Sequence, residues 1–432
     1  MKIEQIKNII QSAHVNFLIG SGVSRPYLNT LGGVETWLTE LSNISSDDDI
    51  KVDIVKCSIL NEYLIGVINP NLEQVIAKHA ENLIKWEERE LLEDDAKPTC
   101  DEKRAIAFDE TIRQYQRLLQ YFLKLLSHRR TNLKNKSINL FTTNIDMLVE
   151  YANNGLGIEL NDGFTGRKPA IFDDGNFTKQ TTKVGLHLQK VSEIPTINYI
   201  KLHGSLNWAQ GENCMVVADD TLQNVHKAKT SFAKIQSSLI NVSELYDSYI
   251  VDGVEDTFTD FLLKNVNKPK EEDLKQLREQ LLEAIEDYSK IIMVNPTKRK
   301  FRETVMDMPF YELMRLYSNS LERENSLMFV AGFSFADEHL SKLTLRAAAN
   351  NPTLNIIIFA YDENSKDGII KALKKQGGIT NDNIIILSPK DYILSNNQDI
   401  PGKIEIKDIE KMTHFDLKAI NNYVLDPLVQ SI

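Results

Sequence analysis

Short apolar runs rich in β-branched residues recur along this chain at intervals too long for hairpins, and that spacing constrains the fold more than anything else. They occupy residues 15–19, 138–141, 197–202, 291–294, 327–330, 354–359 and 384–387. A run that is apolar at every position reads as a strand buried on both faces, the signature of a parallel sheet covered by helices. Parallel neighbours also need long crossover connections, which the intervening stretches can supply. The expected fold class is α/β, with a mostly parallel sheet and helices on both faces.

Two stretches interrupt the pattern. From about residue 50 to 135 no strand is expected, and Phe108, Ile112, Tyr115, Leu119, Phe122 and Leu126 form a helical stripe. The acidic residues 87–95 read as a solvated helix face leading to the Lys97-Pro98 break. From about 209 to 290 a second stripe runs through Leu274, Leu277, Leu281, Ile285 and Tyr288. Both stretches are expected to be helical insertions packing as a lobe over the sheet, within one domain spanning 1–432. Beyond residue 388 the chain is mixed, with Pro401-Gly402 marking a turn.

At 432 residues the chain can bury a large core. Its net charge of −11 argues against direct nucleic-acid binding, because phosphate recognition needs clustered Lys and Arg. Lys298-Arg299-Lys300 reads as a solvated loop or, failing that, a local basic patch. Only Cys57, Cys100 and Cys214 occur, none within metal-ligand spacing of another, so no zinc or disulfide framework is expected. No apolar run approaches roughly 18 residues, and the first eleven residues lack both a signal-peptide core and a lipidation motif. The expected location is the cytoplasm, away from the membrane.

Chemistry concentrates where predicted strands end, the edge at which open parallel sheets bind ligands. The run 15–19 leads into Gly20-Ser21-Gly22-Val23-Ser24-Arg25, with a helix expected at about 35–41. Glycines there let a backbone approach a pyrophosphate, and Ser21, Ser24 and Arg25 add donors. Arg25 stands where a dinucleotide fingerprint has its third glycine, so a plain structural turn stays open as the alternative. The run 138–141 delivers Thr142, Thr143, Asn144 and Asp146, which either cap the next helix or face a ligand. The run 197–202 ends at His203-Gly204-Ser205, and a histidine at this edge is a general-base candidate. Gly332-Phe333-Ser334 repeats the small-residue logic of the first loop, and Asp337 is expected to cap the helix that follows. The remaining histidines, His14, His79, His128, His187, His226 and His414, read as surface or core residues. Together the loops point to an enzyme that handles NAD.

In this order the segments resemble the sirtuin family. Its Gly-Ala-Gly-x-Ser motif is similar to Gly20-Ser21-Gly22-Val23-Ser24, and its Thr-Gln-Asn-Ile-Asp to Thr142-Thr143-Asn144-Ile145-Asp146. Its His-Gly is similar to His203-Gly204 and its Gly-x-Ser to Gly332-Phe333-Ser334. The phrasing His203-Gly204-Ser205-Leu206-Asn207-Trp208, and Gly332 through Leu340 with Asp337 and His339, looks more like the bacterial sirtuin-like NADases of antiphage defence. The resemblance implies a Rossmann-like core and an NAD glycohydrolase that yields nicotinamide and ADP-ribose, depleting NAD in abortive infection. NAD would be the substrate. Gly20, Ser21, Gly22 and Ser24 would hold the pyrophosphate and adjacent ribose, and Gly332 and Ser334 the adenosine side. Asn144 would orient the nicotinamide ribose or a water, Asp146 would meet the carboxamide, and His203 would act as base or orient ribose hydroxyls. It further implies a homo-oligomer and a partner of the HerA-type ATPase class.

The chain departs from the deacylases of that family in two places. It cannot build their four-cysteine zinc module, and Pro26-Tyr27-Leu28 and Gly32-Gly33-Val34-Glu35-Thr36-Trp37 stand in place of their Pro-Asp-Phe-Arg stretch. Two alternatives remain beside the hydrolase. One is an NAD-dependent protein deacylase or ADP-ribosyltransferase, and the other a non-catalytic module binding NAD or ADP-ribose.

Overall fold

Seven strands, all paired in parallel, form the central sheet: β1 (His14–Ile19), β2 (Ser137–Thr142), β3 (Glu159–Asn161), β4 (Thr196–Lys201), β5 (Ser326–Ala331), β6 (Asn355–Phe359) and β7 (Ile384–Leu387). The computed structural model describes residues 2–431 except 31–32, 45–48, 93–96, 128–134, 168, 186–190, 213, 218–221, 253–255, 268–272, 295–307 and 397–411. Lys298-Arg299-Lys300, Pro401-Gly402, His128 and His187 lie outside the described residues. The sheet order is β7-β6-β5-β1-β2-β4-β3. From β1 the chain passes to β2, then to β3 at the edge and back to β4 between them, before crossing to β5, β6 and β7 on the other side. The reversal falls between β1 and β5, and in a Rossmann-like sheet that switch point opens a crevice at the carboxyl ends of the strands.

The runs are mostly apolar because both faces are covered. Phe17 and Ile19 of β1, with Leu140, Tyr199 and Phe329, pack under the helices Ile3–Ser12 and Cys100–Ser127 and the C-terminal residues Leu425 and Leu428. Leu18, Phe141, Ile200, Met328 and Val330 point the other way, against the helices Met308–Glu322 and Glu338–Asn350. One polar row crosses that interior. Asn16, Asn139, Asn198 and Asn161 share a register across β1, β2, β4 and β3. Their amides bond in sequence at 2.9, 2.9 and 3.1 Å. Every side-chain N–H in the row has an acceptor, which is the condition for burying such a row.

A third apolar cluster belongs to the helices between β1 and β2 and between β4 and β5. Val34, Leu38, Leu41, Ile54, Ile59, Phe232, Leu262, Leu281 and Tyr288 belong to it, together with Ile145 and Leu206 from the loops after β2 and β4. The helical lobe therefore rests directly on two of the motif loops.

Residues 291–294, expected as a strand, join no sheet: Met293 makes a single antiparallel bridge to Gly204. The segment follows the helix Leu274–Ser289 and spends its backbone on the His203 loop, with Val294 N–H donating to His203 O at 2.9 Å and Ser205 N–H to Ile292 O at 3.1 Å. Short strands also went unforeseen, namely β3 and an antiparallel four-stranded sheet that includes Trp208–Gln210 and Met215–Val217. No helix among the described residues is long and apolar enough to cross a membrane.

Candidate functional site

The four motif loops, numbered one, two, four and five after the strands β1, β2, β4 and β5 that they follow, leave the sheet at one edge and close into a ring. The loops after β1 and β5 meet through glycines. Gly20 and Gly22 donate their amides to Ala331 O and Gly332 O, both at 3.0 Å. A Cβ on Gly20 would lie 2.5 Å from Gly332 O, and one on Gly332 would lie 2.5 Å from Val23 N. Gly332 also has φ +62°, in the left-handed region. These two amides are thus committed inside the protein, because they prolong the β1–β5 ladder beyond the strand ends. What this loop turns outward is the exposed Ser21 and the exposed Arg25, whose guanidinium lies 5.9 Å from the Tyr361 ring centroid. Ser334 is exposed on the facing loop.

Loops one and two meet at Ser24, which is 1% exposed. With Asp146 ionised, Ser24 Oγ donates to Asp146 Oδ2 at 3.3 Å and accepts from Tyr115 Oη at 2.8 Å and Asn144 Nδ2 at 3.2 Å. That exhausts one proton and two lone pairs. The opposite end of the Asn144 amide, Oδ1, is buried with no hydrogen-bond partner, on a residue only 6% exposed. A buried carbonyl left this way costs stability unless something donates to it. Thr142 shapes the turn, its hydroxyl donating to Ile19 O and accepting from Asn144 N. Asp146 Oδ1 accepts from Leu148 N at 3.1 Å, so this carboxylate both holds the first amide of the short helix Leu148–Asn153 and faces Ser24. Burial drives its pKa up to about 6, against the nearby Lys201 ammonium and the Leu148 amide. Burial likewise pushes the Tyr115 hydroxyl well above its ordinary value.

Loops two and four are joined by Lys201, 3% exposed, whose ammonium donates to Asp146 O and Glu150 Oε1 at 2.6 Å and to Ser205 Oγ at 2.7 Å. Leu206 N–H donates to Ile145 O at 3.1 Å, and from the lobe Asn71 Oδ1 accepts Met147 N–H at 2.9 Å. Gly204 turns the chain at φ +88°, where a Cβ would stand 2.4 Å from Ile292 O.

Loops four and five close the ring. His203 Nε2 lies 3.0 Å from Asp337 Oδ2. Because β2 and β1 separate β4 from β5, this contact spans about 14 Å of sheet edge at the usual strand spacing. The other oxygen of Asp337 caps the helix Glu338–Asn350, accepting from His339 N and Leu340 N. Burial opposes the charge on Asp337, but the hydrogen bond and charge of His203 outweigh it and hold the carboxyl below its ordinary range. His339 is exposed; its backbone amide donates to Asp337, and its charge adds to the lowering of the Asp337 carboxyl.

The structure thus brings Gly20, Gly22, Ser24, Thr142, Asn144, Asp146, His203 and Gly332 into one ring, with Ser21, Arg25 and Ser334 on its outer side. It adds residues given no site role from sequence. Tyr115 reads as one more core position on a helical stripe, and Lys201 as the last residue of a strand. Glu150 carries no motif. Asp337 had a visible signal, two residues before His339 in a capping pattern, but its second partner lies 134 positions away. Among the described residues no group of three His, Cys, Asp or Glu side chains is placed to hold a metal ion. Compared with known proteins, the chain matches no family model and no curated sequence.

Proposed function

We propose that this protein is an NAD glycohydrolase that cleaves the nicotinamide–ribose bond to give nicotinamide and ADP-ribose. The observation that carries the reading is the partnerless, buried Oδ1 of Asn144 inside the ring of loops at the carboxyl ends of the strands. A ribose hydroxyl or an attacking water, both donors, would complete it. The resemblance of the four loops to sirtuin motifs supplies the substrate class. The exposed Ser21, Arg25 and Ser334 would meet the pyrophosphate and the adenosine side.

Nicotinamide leaves as a neutral molecule through an oxocarbenium-like state, so the reaction needs little acid assistance. Holding a water and the ribose in line would do most of the work, with His203 taking the proton of the attacking water. Asp146, whose carboxyl lies beside Ser24 and Asn144, would meet the nicotinamide carboxamide. In a cell the activity would deplete NAD, as in abortive infection, and assembly with further copies or with a HerA-type ATPase would supply the control such a toxic reaction requires.

The test is incubation of the purified protein with NAD at neutral pH, with products resolved by chromatography. Wild type should release nicotinamide and ADP-ribose in equal amounts. Asn144→Ala and His203→Ala should each turn over about 10²–10⁴-fold more slowly while remaining folded. Near-wild-type turnover in both variants would remove the assignment. Tight NAD binding with no turnover in the wild type would point to the non-catalytic module instead.

A further inference from the structure

We propose that Asp337 is a positioning residue that fixes His203 as its Nε2–H tautomer, with the imidazole lone pair on Nδ1. The inference concerns the site assigned above and rests on that reading only for its kinetic consequence.

Three observations carry it. Asp337 Oδ2 lies 3.0 Å from His203 Nε2, and an ionised carboxylate only accepts, so in the neutral imidazole the proton of this bond sits on Nε2. Asp337 cannot swing away without loss, because its other oxygen holds the first turn of the helix Glu338–Asn350 at 2.8 and 2.9 Å. The turn that delivers it is rigid, since Phe335 is 1% exposed with φ +58° and its carbonyl accepts from Ser341 Oγ at 2.7 Å. The backbone of His203 is equally fixed, through Val294 N–H on its carbonyl and the bridge between Gly204 and Met293. Two held backbones thus meet through this hydrogen bond between the loops after β4 and β5, so ring orientation and tautomer are set together.

The two oxygens of Asp337 have different duties, which makes the isosteric substitution informative. In Asp337→Asn the helix amides require the carbonyl oxygen, so the NH₂ group must turn toward His203. It donates to Nε2 and forces the opposite tautomer, with the proton on Nδ1. A carboxylate that only capped its helix would be replaced by asparagine without effect, because asparagine is as good a cap.

The experiment compares wild type, Asp337→Asn, His203→Ala and the double variant. Asp337→Asn should melt with the wild type, and long-range ¹H–¹⁵N spectra should show the His203 proton moving from Nε2 to Nδ1. NAD turnover should fall by up to about 10⁴-fold in kcat, the loss a wrong histidine tautomer can produce, with KM changed less than about threefold. In the His203→Ala background the same substitution should have no further effect, since Asp337 acts through the ring. An unchanged tautomer in Asp337→Asn overturns the proposal, as does an additive loss in the double variant. Absence of NAD cleavage by the wild type would instead be a failure of the glycohydrolase reading, and the tautomer measurement would still decide the role of Asp337.

Discussion

Asp146 shows how one side chain can weigh on the stability of the whole chain. Its carboxyl is 3% exposed, and burial outweighs the nearby Lys201 ammonium, so its pKa rises from 3.8 to about 6. Between those two values the folded state binds the proton more tightly than the unfolded state, so the stabilising contribution is fully present below about pH 4. It is lost as pH rises through about 6. At pH 7 the ionised carboxylate then costs on the order of 3 kcal/mol relative to a group with an unshifted pKa. The Asp146→Asn variant should accordingly gain stability over wild type at pH 7.5 and lose most of that gain at pH 4. Urea unfolding at the two pH values measures it, and equal differences at both would contradict the assignment of the shift to Asp146. A residue that weakens the fold at neutral pH fits a place kept for chemistry rather than for packing.

The loops act as elements, and the glycine contact between β1 and β5 is the tightest of them. Gly332→Ala would force φ +62° on a residue with a Cβ and press that atom to 2.5 Å from Val23 N. Strain and overlap together should destabilise the protein by about 2–4 kcal/mol. Gly368→Ala, inside the helix Glu363–Lys375 and with open space around it, is the control and should be neutral or stabilising by thermal melting. At this scale the sequence was legible where the pattern was local. The runs at 15–19 and 327–330 are apolar but for Asn16 because helices cover both faces, and six of the seven strands of the central sheet could be placed from such runs alone. Residues 291–294 carry the same apolar signal, yet they spend it on one bridge to Gly204, a choice fixed by where the preceding helix ends. β3, with only Glu159, Leu160 and Asn161, is too short and polar to announce itself. The site divides the same way. Asn144 and His203 stood at strand ends and were visible, whereas Tyr115 and Asp337 owe their roles to partners 91 and 134 residues away, and no local pattern encodes such a pairing.

For the molecule as a whole, the helical lobe is part of the site's support as well as a cover over the sheet. Ile145 sits between Asn144 and Asp146, and Leu206 lies three residues past His203. Both are buried in the lobe's apolar cluster, at 5% and 2% exposure. Met147 N–H, next to Asp146, is held by Asn71 from the same lobe. The lobe therefore fixes from above the two loops that the sheet delivers from below. Leu262, fully buried in the same cluster, lies on the helix Phe258–Asn265 and belongs to neither loop. Truncating any of the three to alanine should cost about 2–5 kcal/mol, the usual range for a buried aliphatic side chain. The effects on NAD turnover should separate them. Under conditions where all three variants remain folded, Ile145→Ala and Leu206→Ala should lose about 10-fold or more, because a small misplacement of Asn144 or His203 disturbs the in-line arrangement. Leu262→Ala should stay within about twofold of wild type, since Leu262 lies on the helix Phe258–Asn265 and belongs to neither loop. Denaturant titration followed by turnover at low temperature gives both quantities on the same samples. If the three variants lose turnover equally, the lobe stabilises the molecule without steering the site, and the ring of loops must hold its own shape.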